Sequence, residues 1–159
     1  MTAPQQWGAV CIDRGSGMLK YTFLTDAFYH DYANCPEIER KRFRPHVLLK
    51  IVVDGVVWCI PLRSHISHPH AYLTDPKNHC GVDFSKAVAI KDPRYLDTAN
   101  KPVLRQNEFD ALRGKDYIIR QRFQAYIRTY IKAKSRQDVP RNKTLVQLST
   151  LQYFEEYLP

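Results

Sequence analysis

The sequence has no C-x-x-C pair; its four cysteines stand apart at 11, 35, 59 and 80. That spacing argues against a zinc ribbon and against a dithiol redox motif. Also missing is any run of roughly 18 uncharged apolar residues, the length that a membrane-crossing helix requires. The best apolar run, 47–62, is interrupted by Lys50, Asp54 and Gly55. Residues 1–17 carry neither the basic start nor the apolar centre of a secretion signal, so reduced thiols and a cytoplasmic location are expected. No internal repeat is present.

The 159 residues suit one domain with a hydrophobic core, and 44% hydrophobic against 25% charged residues is ordinary globular composition. Residues 1–17, small and polar with a Gly-Ser-Gly segment, read as a flexible extension ahead of a single domain at 18–159, with Met18 as a candidate start. The net charge of +8 is unevenly placed: 101–143 holds twelve Lys or Arg against four Asp or Glu. A one-sided basic surface favours polyanions, nucleic acid before acidic membrane, although a solvated helix face accounts for the charge equally well.

Two β-rich runs, 47–53 and 56–62, flank Asp54-Gly55, and this pattern predicts a hairpin with a tight primed turn. Pro61 should end the pairing or lie on an edge. Upstream, Leu19, Tyr21 and Phe23 read as a strand and 25–32 as a helix. Residues 63–81, rich in His, Pro and Asn, read as loop, and 83–91 as a further strand. Asn107 is expected to cap a short helix, 108–112, that stops at Gly114. A longer helix over 115–134 follows, with Ile119, Phe123, Tyr126, Ile127 and Tyr130 forming one apolar stripe. Arg120 and Arg122 flank that stripe; Arg128 and Lys132 lie opposite. Leu145, Leu148, Leu151, Phe154 and Tyr157 mark a final amphipathic helix. The expected class is α+β, a small antiparallel sheet packed by helices.

The segment Arg63-Ser64-His65-Ile66-Ser67-His68-Pro69-His70 follows the hairpin and brings a cation, hydroxyls and imidazoles to one strand end. RNA is cut without metal when its own 2′-hydroxyl attacks the adjacent phosphate. The protein must supply a base, an acid and a cation for the phosphorane charge. Histidine suits proton transfer because its reference pKa is about 6.5, and arginine suits the charge role through its fixed fork of donors. Ser64 can position the phosphate or the 2′-hydroxyl. A polar turn with surface histidines explains the segment as well. A zinc site built from His65, His68, His70, His79 and Cys80 is a third reading. Arg40, Lys41, Arg42 and Arg44 precede the first hairpin strand, and Lys86 is a candidate phosphate contact, though both also read as solvated charge. Tyr117, Tyr126 and Tyr130 interleave with arginine as base-stacking aromatics would, yet their helical spacing fits core better.

The progression RPHVLLKIVVDGVVWCIPLRSHISH, then GVDFSKAVAIKD, then NEFDALRGKDYIIRQRFQAYI, resembles the ToxN/AbiQ family of type III toxins, in particular its TenpN-like branch. The similarity runs from about Met18 to Tyr130. The resemblance implies a strongly bent antiparallel sheet with a MazF/Kid-like barrel core, surrounded by helices. It implies a metal-independent endoribonuclease with no cofactor, leaving 2′,3′-cyclic phosphate and 5′-hydroxyl ends on single-stranded RNA. It further implies inhibition by a small repeat-derived RNA antitoxin that the toxin itself processes, in an RNA-bridged assembly, with roles in phage abortive infection or plasmid maintenance. Ser64 matches the family's serine after Pro-Leu-x, and Arg44 matches a basic residue before the first hairpin strand. Two positions depart: Arg63 stands where threonine is common, and Ile66 where the family has lysine. The proton-transfer group then falls to His65 or His68, with His68 preferred because a histidine shortly after the serine recurs in the family. Catalytic candidates are therefore Ser64, His68, Arg63, His65 and Arg44. RNA-contact candidates are Arg40, Arg42, Lys50, Asp83, Lys86, Arg120, Arg122 and Arg128. The alternative is a non-catalytic RNA- or DNA-binding module that uses the basic helical face.

Overall fold

The structure, a computed structural model, describes residues 19–38 and 46–159. Arg40, Lys41, Arg42 and Arg44, and the proposed extension at 1–17, lie outside the described residues. In chain order the main elements are β1 (Lys20–Thr22), α1 (Asp26–Asp31), β2 (Leu48–Val53), β3 (Val56–Arg63), β4 (Ala71–Asp75), β5 (Cys80–Asp83) and β6 (Val88–Ala89). They are followed by α2 (Gln106–Leu112), α3 (Asp116–Lys134) and α4 (Pro140–Leu148), with short 3-10 turns between and after them.

The hairpin forms as the alternation demands. Val53 pairs with Val56 across Asp54 and Gly55, whose φ values of 51° and 78° are the two left-handed conformations of a type I′ turn. From there β2 and β3 stay in register to Leu48↔Pro61. The other edge of β3 is shared. Trp58 and Cys59 pair with β6, whereas Leu62 and Arg63 pair with β5. Leu62 donates its N–H to Val47 O at 2.9 Å, so alternation turns the Pro61 nitrogen to the opposite edge. There it falls in the gap between the two partners, where no donor is required.

The resulting sheet has the order β1-β2-β3-β5-β4, with β6 beside β3, and is antiparallel throughout. It is open, with β1 and β4 at its edges, so the described residues do not form the closed barrel core expected above. Alternation puts Trp58, Ile60, Leu62 and Val82 on one face and Pro61, Arg63, Gly81 and Asp83 on the other. Helix α3 covers the first face: its stripe Ile119, Phe123, Tyr126, Ile127 and Tyr130 is buried, and Phe123 meets Trp58 edge-on at 5.2 Å. Each such side chain contributes about 1.5–3 kcal/mol when fully buried, so this seam is the main support of the sheet.

Several expectations need correcting. Residues 63–81 are not all loop, since β4 and the start of β5 lie there. The 83–91 run is not one strand; Asp83 ends β5, residues 84–86 make a 3-10 turn, and β6 follows. The turn arises because the Asp83 carboxylate accepts the N–H of Ser85 at 3.0 Å, a local bond that competes with the ladder. Asn107 is not a cap: the short helix begins two residues earlier than expected, at Gln106 after Arg105, with no side-chain cap. The final amphipathic pattern is α4 and then 3-10 turns at 150–153 and 155–157, divided at Ser149, whose φ/ψ of −83°/135° is extended.

Candidate active site at the end of β3

Asp83 is the centre of the arrangement. Its side chain is fully buried at 0% exposure, yet three groups reach it. Arg63, its same-face neighbour across the β3–β5 ladder, donates Nη1–H to Oδ2 at 2.5 Å. Ser85 donates its hydroxyl to Oδ1 at 2.6 Å. His68 Nε2 lies 3.1 Å from Oδ1. Burial by itself would push the Asp83 carboxyl up, but hydrogen bonds from His68, Ser85 and Arg63 outweigh it and hold the group below the usual carboxylate range. Asp83 is therefore ionised, and it fixes a guanidinium and an imidazole at one strand end.

The state of His68 follows from its partners. The His70 backbone N–H points at His68 Nδ1 at 3.0 Å, so Nδ1 must accept and carry no proton. The ring proton is then on Nε2, directed between Asp83 Oδ1 and Ser85 Oγ, the latter at 3.2 Å. Protonating Nδ1 would set two N–H groups head to head. Both ring nitrogens of His68 are thus committed to the fold.

His70 is placed differently. Its ring stacks on His68 at 5.7 Å and 27°, and packs against Tyr126 of α3 at 5.3 Å. Burial, the largest cause, lowers the His70 pKa, and the nearby Asp83 carboxylate opposes it. Tyr126 in turn shares a buried hydrogen bond with Ser149 at 2.7 Å. The turn that carries Ser85 is clamped from the same side, because Thr150 Oγ1 donates to the Ser85 carbonyl at 3.2 Å and also to that of Ala87.

Ser64 and His65 are exposed at the bend just after β3, and His65 has φ 57°. Neither side chain hydrogen-bonds another described residue. Arg63 and Lys86 share the wall of a small pocket with Leu24, Phe28, Leu48 and Pro61; Lys86 Nζ also donates to Leu148 O at 3.1 Å. Of the expected RNA contacts, Asp83 does not reach the surface, so any part it takes is through the side chains it holds. Lys50 is half-buried on β2 beside Lys20 of β1. Arg120 is tied to Asp116 by two bonds of 3.1 and 3.2 Å. Arg122 lies over the Tyr72 ring at 5.2 Å, and Arg128 is exposed. Tyr126 and Tyr130 are core; Tyr117 is 70% exposed.

Among the described residues no three His, Cys, Asp or Glu side chains converge as metal ligands, so the set His65, His68, His70, His79 and Cys80 does not assemble. None of the described helices is long and apolar enough to cross a membrane. Sequence reasoning overlooked Ser85, and it included His70 in the 63–70 segment and in the zinc set without singling it out for proton transfer. The available signal was the Asp-x-Ser spacing of Asp83 and Ser85, a common local side-chain-to-backbone motif. No known protein family, curated protein or solved structure matches the chain.

Proposed function

We propose that this chain is a metal-independent endoribonuclease that cuts single-stranded RNA by transesterification, leaving 2′,3′-cyclic phosphate and 5′-hydroxyl ends. One observation carries the reading: buried Asp83 holds Arg63 and, through His68, the stacked His68–His70 imidazole pair at the end of β3, beside exposed Ser64. In-line attack by a 2′-hydroxyl needs a cation fixed at the phosphorane and an imidazole within reach. Arg63 is the cation, held by a carboxylate that cannot relax into solvent. Ser64, with its hydroxyl unengaged by the described residues, positions the phosphate. The excess of basic residues in 101–143, with Arg122 and Arg128 exposed on α3, supports an RNA substrate.

The resemblance to ToxN/AbiQ toxins supplies the cellular setting. On that reading the protein is the cytoplasmic toxin of a type III system, held inactive by a structured RNA that it trims from a tandem-repeat transcript. Its consequence is phage abortive infection or plasmid or genome maintenance.

The test is incubation of purified protein with mixed single-stranded RNA in EDTA, followed by mapping of product ends. Discrete cuts with cyclic-phosphate ends, absent from Ser64→Ala, support the nuclease and its site. Tight, salt-sensitive binding without scission supports the alternative, a non-catalytic RNA- or DNA-binding module. Cutting that disappears in EDTA and returns with added metal overturns the proposal.

A further inference from the structure

We infer that His70 is the group that takes the proton from the attacking 2′-hydroxyl, and that His68 and Asp83 are positioning residues that hold it in place. The inference rests on the nuclease reading and concerns which imidazole of the loop is chemically available. Three histidines lie within six residues of Ser64, and their surroundings separate them.

His68 is excluded by its own hydrogen bonds. A base must have an unshared nitrogen lone pair and must be able to hold the proton it gains. The single lone pair of neutral His68, on Nδ1, is occupied by the His70 N–H at 3.0 Å, and Nε2–H is engaged by Asp83 and Ser85 at 3.1 and 3.2 Å. Accepting a proton would break the 68–70 turn. His65 is excluded by lack of support: it is exposed, and no hydrogen bond to another described residue orients its ring.

His70 meets both requirements. Its ring is held on two sides by contacts that use no ring nitrogen, His68 on one and Tyr126 on the other. Among the described residues neither ring nitrogen donates or accepts, so one lone pair is available. Its backbone is pinned at both ends, since its N–H bonds to His68 and its carbonyl accepts the Phe84 N–H at 3.0 Å. The titratable groups that face it are His68 on its own loop, Asp83 from β5 and Tyr126 from α3. Burial, the largest influence, keeps the ring neutral at ordinary pH. The bond that holds His70 is the same bond that occupies His68, and this couples the two.

The step balances without a co-reactant. The 2′-O–H bond breaks as its proton passes to a His70 nitrogen, and the oxygen forms a bond to phosphorus. The phosphorus–5′-oxygen bond then breaks, the 5′-oxygen leaves and is protonated from water, and His70 returns its proton to solvent. No atom changes oxidation state.

The experiment compares single-turnover cleavage of a fluorescent single-stranded RNA in EDTA by wild type, His70→Ala, His70→Gln and His68→Gln across pH. Removing a general base costs on the order of 100-fold or more. Expected is that loss in both His70 variants, partial recovery of His70→Ala by added imidazole, and disappearance of the acid limb of the rate profile. In wild type that limb lies below the ordinary histidine value of 6.5, because the His70 pKa is lowered. His68→Gln is expected to be slower yet to keep an acid limb. If His70→Ala and His70→Gln both retain the limb, or if imidazole rescues only a His68 variant, the inference is overturned while the nuclease stands. Should wild type cut no RNA, the nuclease reading fails. The availability of His70 is then judged by peptide-mapped diethylpyrocarbonate labelling of wild type. Faster labelling of His70 than of His68 upholds only the availability of its ring, the base role having fallen with the nuclease, and the reverse order overturns that availability as well.

Discussion

Arg63 and Asp83 lie on one face of adjacent antiparallel strands with Nη1 2.5 Å from Oδ2, the arginine side chain 22% exposed and the carboxylate wholly buried. The carboxylate is sealed and the arginine side chain keeps some exposure, so the guanidinium is held on a fixed base. Removing the sealed half strands its partners, whereas removing an exposed charge costs little.

Asp83→Asn keeps the volume and removes the charge. It should destabilise the chain by about 3 kcal/mol, the scale seen when one member of a buried pair is lost. Urea denaturation followed by circular dichroism measures this; a midpoint within error of wild type would mean that the carboxylate is not the hub described here.

Acid should expose the same group. The folded chain keeps Asp83 ionised at a pH where the unfolded chain takes up a proton, because the folded pKa is lowered from 3.8. Its contribution is complete above that unfolded value and is lost as pH falls through the folded one. Denaturation midpoints measured from about pH 6 to about pH 2 should therefore drop in the most acidic part of that range.

Gly81 is pinched by backbone. A Cβ there would sit 2.2 Å from Tyr72 O and 2.7 Å from Leu73 Cα, beside the irregular register between Leu73 and Asp75. Neither atom is the end of a flexible side chain. Gly81→Ala should cost on the order of 2–4 kcal/mol and separate β4 from β5, seen as faster amide exchange at Tyr72 and Val82.

Tyr126→Phe removes one hydroxyl and leaves the buried Ser149 Oγ without that partner. A loss of about 1–2 kcal/mol follows. The ring contact with His70 survives, so cleavage should fall far less than in His70→Ala. A comparable loss of activity would assign the phenol a chemical part.

Arg120 and Arg128 should differ in RNA binding. Arg120 already bonds Asp116, while Arg128 is an exposed cation on the outer face of α3. Replacing a phosphate-contacting cation lowers the salt slope of single-strand binding by about 0.7. Arg128→Ala should show that change and Arg120→Ala little of it; equal slopes would move the RNA off this face.

The elements legible in the sequence were those whose signal is local. The Asp54-Gly55 hairpin and the Ile119–Tyr130 stripe carry their own period and turn chemistry, and both lie where the pattern put them. β4 was not legible, since Ala71–Asp75 is half-buried throughout and pairs across an irregularity that no local alternation encodes. The loop 63–70 stood out because its residue types are rare together. What could not be read is which imidazole the fold occupies, because that depends on a backbone N–H two residues on and a carboxylate from another strand. Asp83 misled for the same reason: a strand-end aspartate reads as surface until the ladder places it on the same face as Pro61 and Arg63, where its side chain is buried.

A carboxylate shared by three donors also constrains how the sequence can drift. Exchange of Arg63, His68 or Ser85 alone leaves Asp83 charged and under-bonded, and exchange of Asp83 alone removes the carboxylate that fixes the guanidinium and the imidazole. Each single step is therefore deleterious even where the full replacement would be tolerated. These four positions should change in concert across descendants of this chain or stay together, while Ser64 and His65, which no described neighbour holds, are free to vary one at a time except where function forbids it.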